Sequence, residues 1–254
     1  MPKKLLLLGL IVLALGITLV GGQSPVKAPA PSGSTYQRGS DALKKGDADT
    51  AISNYTAAIA IDQKNASAYA GRGAAKRLKG DYHGALLDLN TSIELNPTVQ
   101  SSFYTRAWIN LILGHGDDAF ADATKLLSFS ESNHLVFPSH VLIAYFGLRQ
   151  SKRDAEAEMF LRNAFPKLFS GASTTQIARY LKRELTEEQL FAAAAGSHAM
   201  IEARTYVGLD QSLNGKKEAA LNNFRWVVVN GEKRAFEYSL AQSQIIRLTS
   251  PVSN

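Results

Sequence analysis

The stretch GDYHGALLDLNTSIELNP, residues 80–97, sets polar turn residues at both ends of a run whose apolar positions suit one face of a helix. It opens on a Gly-Asp turn, passes a small residue at Ala85 and stops at Asn96-Pro97. Elsewhere the pattern differs. Residues 5–20 form an uninterrupted apolar run behind Lys3 and Lys4. As a helix that run rises about 24 Å, short of the roughly 30 Å hydrocarbon core of a bilayer. A positive start, an apolar run and then the small residues Val20-Gly21-Gly22 are the layout of a secretory signal peptide. Residues 1–22 are therefore expected to be a signal peptide or a membrane anchor. Residues 23–34, with Pro25, Pro29 and Pro31 among Gly, Ser and Ala, are expected to be a linker.

The quoted phrase recurs when the chain is slid by 34 residues. Gly46, Gly80 and Gly114 align, as do Arg38, Arg72 and Arg106, and Ala51, Ala85 and Ala119. Gly39, Gly73 and Ala107 form another column, and Tyr55, Leu89 and Ala123 a further one. Each column has a physical reason. Glycine tolerates the left-handed conformation that ends a first helix. Asp47 and Asp81 can then cap a second helix. Small residues at 39/73/107 and 51/85/119 let the two helices cross closely, and Pro97 cannot continue a helix. Three helical hairpins are thus expected over residues 35–130. One hairpin cannot bury its apolar face alone, so the copies should stack. Arg38, Arg72 and Arg106 would form a ladder over the hairpin seam, with their stems on apolar surface.

Past residue 130 the period slips but the hairpin pattern persists. Residues 141–165 read as a degenerate fourth copy, with Ala155 as the small residue of its second helix and Pro138 starting its first. Residues 173–195 suggest two short helices, the second capped by Thr186 with Glu188 and Gln189 just behind it. Residues 131–200 are accordingly expected to hold a degenerate repeat and irregular helices. Residues 201–254 return to the motif at Gly208, Gly215, Ala220 and Phe224, and a last helix should cap the open end of the array.

Composition adds limits. Apolar residues make up 45% and charged residues 20%, enough for a core. The net charge is +6, with 28 basic and 22 acidic residues mixed along the chain. Nucleic-acid binding would want a basic stripe interleaved with aromatics, and none is present. With no cysteine, disulfides, thiolate nucleophiles and Cys-based metal sites are excluded. The five histidines show no ligand spacing; His83 and His115 lie in or beside turns, His134 and His140 flank Pro138, and His198 stands alone. No Gly-x-Ser-x-Gly elbow and no phosphate loop occurs, because the repeat columns put Gly71 and Gly73 within a helix. No catalytic residue, metal or cofactor is expected. An enzyme site within residues 130–200 is an alternative that would need convergent titratable groups in a cleft.

The segment YAGRGAAKRLKGDYHGALLDLNTSIELNP, from Tyr69, resembles the tetratricopeptide repeat (TPR). That resemblance implies an all-α fold, a TPR-type array of helical hairpins in a right-handed superhelix with a C-terminal capping helix. The order of IARYLKRELTEEQL, YVGLDQSLNGKKEAALNNFRWVVVNG and AFEYSLAQ further resembles the NlpI-type TPR lipoproteins of the bacterial envelope. Those are exported adaptors that bring a periplasmic protease and peptidoglycan hydrolases together. The resemblance implies an exported scaffold, periplasmic or membrane-anchored and facing the periplasm, with protein or peptide partners and no nucleic acid. One departure matters: that family carries its lipid on a Cys, and this chain has none. Any membrane tether must then be the leader itself. A component of an envelope assembly or secretion machine is the alternative binding reading, and a homodimer through the array's ends or faces is compatible with either.

In TPR arrays the first helix of each hairpin lines the concave face. By register this places Tyr36, Ser40, Leu43 and Lys44 in the groove from the first copy. The second contributes Ala70, Ala74, Arg77 and Leu78, and the third Tyr104, Trp108, Leu111 and Ile112. The surface so described, aromatic and aliphatic with a basic edge, suits an extended or helical apolar peptide. The family's chaperone-tail clamp needs Asn and Lys where this chain has Tyr36, Ser40, Ala70 and Gly71, so that ligand does not fit. Trp108 and Tyr104 have a second option, packing against a neighbouring hairpin or the C-terminal segment.

Overall fold

The computed structural model describes residues 32–131, 137–165 and 173–250, so the leader and nearly all of the expected linker lie outside the described residues. Among the described residues there are thirteen helices and no strand. The first three hairpins are α1 (Ser32–Lys44) with α2 (Ala48–Ile61), α3 (Ala66–Leu78) with α4 (Tyr82–Leu95), and α5 (Gln100–Leu113) with α6 (Gly116–Glu131). Then come α7 (Pro138–Gln150) with α8 (Asp154–Ala164), and the short α9 (Ser173–Leu181) and α10 (Glu187–Ala193). The chain closes with α11 (Ser197–Leu213), α12 (Lys217–Asn230) and α13 (Phe236–Thr249). No described helix is long and apolar enough to cross a membrane. Helix α1 begins at Ser32, inside the segment expected to be linker.

The local signals act as their chemistry dictates. Gly46, Gly80 and Gly114 end their helices at φ of 79°, 77° and 85°. The Asp47 carboxylate accepts from Thr50 N at 3.1 Å and Asp81 from Gly84 N at 2.8 Å, each capping the next helix. Pro138 stands in the first turn of α7, and Thr186 with Gln189 forms a full capping box on α10. Ala51, Ala85, Ala119 and Ala220 are fully buried where paired helices cross. A Cβ on Gly73 would meet the Leu89 side chain at 2.9 Å, and one on Gly208 would meet Phe224 at 2.8 Å. The columns need small residues for this reason. In the fourth copy the small residue is Ala157, fully buried, while Ala155 faces solvent. The expected position is corrected by two residues, because the slipped period gave no anchor there.

The arginine ladder spans each hairpin and the joint to the preceding one. Arg72 clasps Asp88 with two bonds, of 2.9 and 2.7 Å, and Arg106 clasps Asp122 with the same pair of distances. The remaining arm of each reaches back one copy, Arg72 to Thr56 at 3.3 Å and Arg106 to Asn90 at 2.6 Å. In the first copy Arg38 meets only the neutral Asn54 among the described residues, at 3.3 Å.

Apolar burial is uneven along the array. A small cluster around Tyr55 serves the first hairpin, and another around Leu89 and Ile109 serves the second. One large core then runs from Ala107 on α5 through Tyr145 and Phe146 on α7 to Tyr206, Phe224 and Leu240. Helix α13 packs on α12, α11 and also α5, so its cover extends from the C-terminal hairpin onto the third repeat.

Candidate functional site

The expected groove comprises α1, α3 and α5, and α13 takes up part of it. Phe236, the first residue of α13, stacks on Trp108 with ring centroids 5.2 Å apart and 17° between planes. It also meets Tyr104 edge-on at 5.4 Å, and the Arg77 guanidinium sits over its ring at 4.0 Å. Polar contacts fix the same segment. Arg77 donates to Arg234 O at 2.9 Å, and Arg234 donates to Lys44 O at 3.0 Å. Ser243 and Arg247 both donate to Ile112 O, at 3.0 and 3.2 Å. These bonds occupy one of the carbonyls that α5 leaves unpaired at its end.

This arrangement corrects part of the expected groove. Trp108 is 1% exposed, Leu111 and Ile112 are fully buried, and Ala70 and Arg77 are buried too. They line the joint with the chain's own segments instead of an open surface, and Tyr104 is half-buried beside them. Tyr36, Ser40, Leu43, Ala74 and Leu78 stay half-exposed, and Lys44 is exposed. The twelve residues assigned to the groove are therefore divided between a filled part on α3 and α5 and an accessible part on α1 and the Ala74–Leu78 side of α3. Phe236 is the residue that sequence reasoning missed. Its only advance signal was an aromatic at the start of a helix already expected to pack on the array.

Burial governs the electrostatics of the joint. It pulls Arg77 down to about 10, still charged at neutral pH, and Arg77 Nε has no partner among the described residues. Glu237, next to Phe236, is pushed above its usual range by burial, with the nearby Glu202 charge adding to the effect. His140 packs its ring against Tyr104 at 5.7 Å and is held down at about 4 by burial, so it is neutral at physiological pH.

A second polar centre lies in the region where an enzyme site was the alternative. Asp210 on α11, 2% exposed, receives Arg183 at 3.0 Å, Arg149 at 3.3 Å, Tyr180 at 3.3 Å and Asn214 at 3.0 Å. Arg149 also reaches Tyr145 Oη and Asn214, both at 2.9 Å. Burial pushes the Tyr145 phenol up to about 12 and Tyr180 higher still. Every charge here is paired inside the fold, and the network ties α7, α9 and α11 together. Its geometry is that of a strut. Among the described residues no group of three or more His, Asp or Glu side chains could hold a metal ion.

No family profile matches the chain. It is similar to the human protein named tetratricopeptide repeat protein 36, 38% identical over 85 residues that make up 32% of this chain and 45% of that one. The mouse protein of the same name is 35% identical over 92 residues, 35% of this chain and 50% of that one. The chain thus spans about half the length of the curated relatives it matches. Among solved structures, a tetratricopeptide repeat protein from Parabacteroides merdae is 15% identical, with a TM-score of 0.49, over 84% of this chain and 98% of that one. The TPR domain of P58(IPK) is 13% identical, with a TM-score of 0.34, over 85% and 65%. The 34-residue period and the capped hairpins it folds into make the chain an all-α helical array of the tetratricopeptide-repeat type, similar in sequence to these relatives over about a third of its length.

Proposed function

We propose that the chain is an exported, non-catalytic scaffold that binds proteins in the cell envelope and recruits enzymes such as periplasmic proteases or peptidoglycan hydrolases. The observation that carries the binding reading is the divided inner face. Helix α13 fills the α3–α5 half, and the α1 half remains accessible through Tyr36, Ser40, Leu43 and Lys44. A pocket of about 440 Å³ adjoins it, formed by Lys45, Gly46, Ala48, Leu78, Glu232, Lys233 and Arg234. Aromatic and aliphatic surface rimmed by Lys44, Lys45, Lys233 and Arg234 suits an apolar peptide with acidic flanks. Export is supported by the pattern of Lys3, Lys4 and the apolar run behind them. The adaptor role is supported by the resemblance of the C-terminal hairpin and its final helix to the NlpI-type lipoproteins.

The test is a photo-crosslinking residue placed at Lys44 in living cells, with one at the exposed Met159 of α8 as control. Discrete adducts with envelope enzymes at Lys44 alone are the expected result; the absence of any adduct at Lys44 would overturn the reading. Sequencing the N-terminus of the mature protein tests export separately, with a start at Gln23 expected if the leader is cleaved.

A further inference from the structure

The second and third repeats carry the same buried arginine–aspartate clasp, yet they balance its charge differently. In the second repeat, Asp88 holds Arg72 and also the Lys76 ammonium, 2.8 Å from the carboxylate. Lys76 Nζ donates in addition to Gly84 O at 3.3 Å. One 34-residue period later the lysine column holds Asn110 and the glycine column holds Asp118. Asp122, 3% exposed, keeps only Arg106 as a cationic partner among the described residues. The third repeat thus has one cation fewer at this centre; it gains the Asp118 carboxylate, while the column of Asp81 holds His115.

A pocket of about 340 Å³ lies at this place, lined by Asn90, Arg106, Asn110, His115, Asp118 and Asp122 among others. Asn110 is 4% exposed, and its side chain makes no hydrogen bond among the described residues. Burial pushes the Asp122 carboxyl above its usual range despite the Arg106 clasp, and the Asp118 charge adds to the rise. Asp122 thus has one cationic partner among the described residues where Asp88 has two. The chain's own Lys76 shows what such a centre accepts one repeat earlier: a primary ammonium on an alkyl stem, held by a carboxylate and a neutral oxygen.

We propose that the pocket between α4, α5 and α6 binds a primary alkylammonium group, which takes the place in the third repeat that the Lys76 ammonium takes in the second. Asp122 and Asp118 supply the charge, and the Asn110 and Asn90 side-chain oxygens can accept the remaining N–H groups. The pocket has room for the alkyl stem against Leu86 and Ala121. Quaternary ammonium lacks the N–H donors this arrangement needs, and a small hydrated dication gains nothing from the stem's apolar walls. The proposal is independent of the protein-binding reading, because it concerns a different face and a different chemistry. A lysine side chain of a partner and a free amine are two sources of the same group.

The experiment is an NMR titration of the full chain with n-butylammonium, with tetramethylammonium and Mg²⁺ at matched ionic strength as controls. Saturable shifts confined to the amides around Asn90, Asn110 and Asp118, with butylammonium alone, are expected. Asp118→Ser should weaken the binding several-fold. Asn110→Lys should abolish it and raise the thermal midpoint, because the variant carries its own ammonium into the pocket. Two further arms, an Nα-acetyl-lysine methylamide and spermidine, identify the source by whichever binds more tightly. Absence of saturation, an equal response to tetramethylammonium or Mg²⁺, or undiminished binding in Asn110→Lys would each overturn the proposal.

Discussion

The Trp108 indole of the third repeat lies stacked on the Phe236 ring of the final helix, 5.2 Å away and within 17° of parallel. Two apolar rings from distant parts of the sequence thus close what a free-standing array would leave open. Trp108→Ala removes a side chain that is 1% exposed, and should cost about 3–5 kcal/mol in urea unfolding. A variant whose midpoint moved little would mean that Trp108 carries a surface role instead.

Phe236→Ala should loosen α13 without dismantling the hairpins. The expected sign is faster amide hydrogen exchange in residues 236–249 and at the end of α5, where Ile112 O loses its partners Ser243 and Arg247. Unchanged exchange at those amides would show that polar contacts alone hold the helix.

The clasp arginines should differ sharply in weight. Arg106→Ala strands Asp122, 3% exposed, and should cost about 3–5 kcal/mol. Arg38→Ala, which removes an exposed side chain whose partner among the described residues is the neutral Asn54, should fall within about 0.5 kcal/mol of the parent. Denaturant titrations of the two variants side by side make the comparison.

Gly147→Ala should be among the worst of the small-to-large changes. Its Cβ would stand 2.7 Å from Gly116 O and 2.9 Å from Phe120 N, so α6 and α7 must part. A loss of about 1–3 kcal/mol or more is expected, against little steric penalty for Ala at Gly33, where nothing lies within 4 Å. Thermal melts of both variants check this.

His140 makes stability depend on pH. Burial holds its folded value at about 4, below the ordinary 6.5, so protonation favours the unfolded chain. The contribution is complete above pH 6.5 and is lost as the pH falls toward 4. It amounts to at most about 3 kcal/mol. His140→Gln should flatten this part of the profile, which unfolding free energies at pH 7 and pH 4.5 would reveal.

The turns and caps were legible because their causes are local. Gly46 and Asp47, or Thr186 and Gln189, need only each other and the adjoining backbone. The fourth copy was less legible: Ala155 and Ala157 lie in the same kind of sequence, and only the packed partner helix tells them apart. Register alone could put Trp108 on the inner face but could not say what covers it, since the cover arrives from residue 236. The Asp210 network left no trace in the sequence because its members come from three separate helices and a turn, at no fixed spacing.

A linear stack of repeats touches only its neighbours and comes undone from its tips, one unit at a time. Here the bond from Arg77 to Arg234 spans 157 residues, and α13 grips the end of α5. Deleting the last twenty-odd residues, as roughly one helix in a chain of this kind, would therefore undress α11 and α12 and, at the same stroke, the second and third hairpins. The tail is a keystone laid back over the middle of the arch, and both halves depend on its staying there.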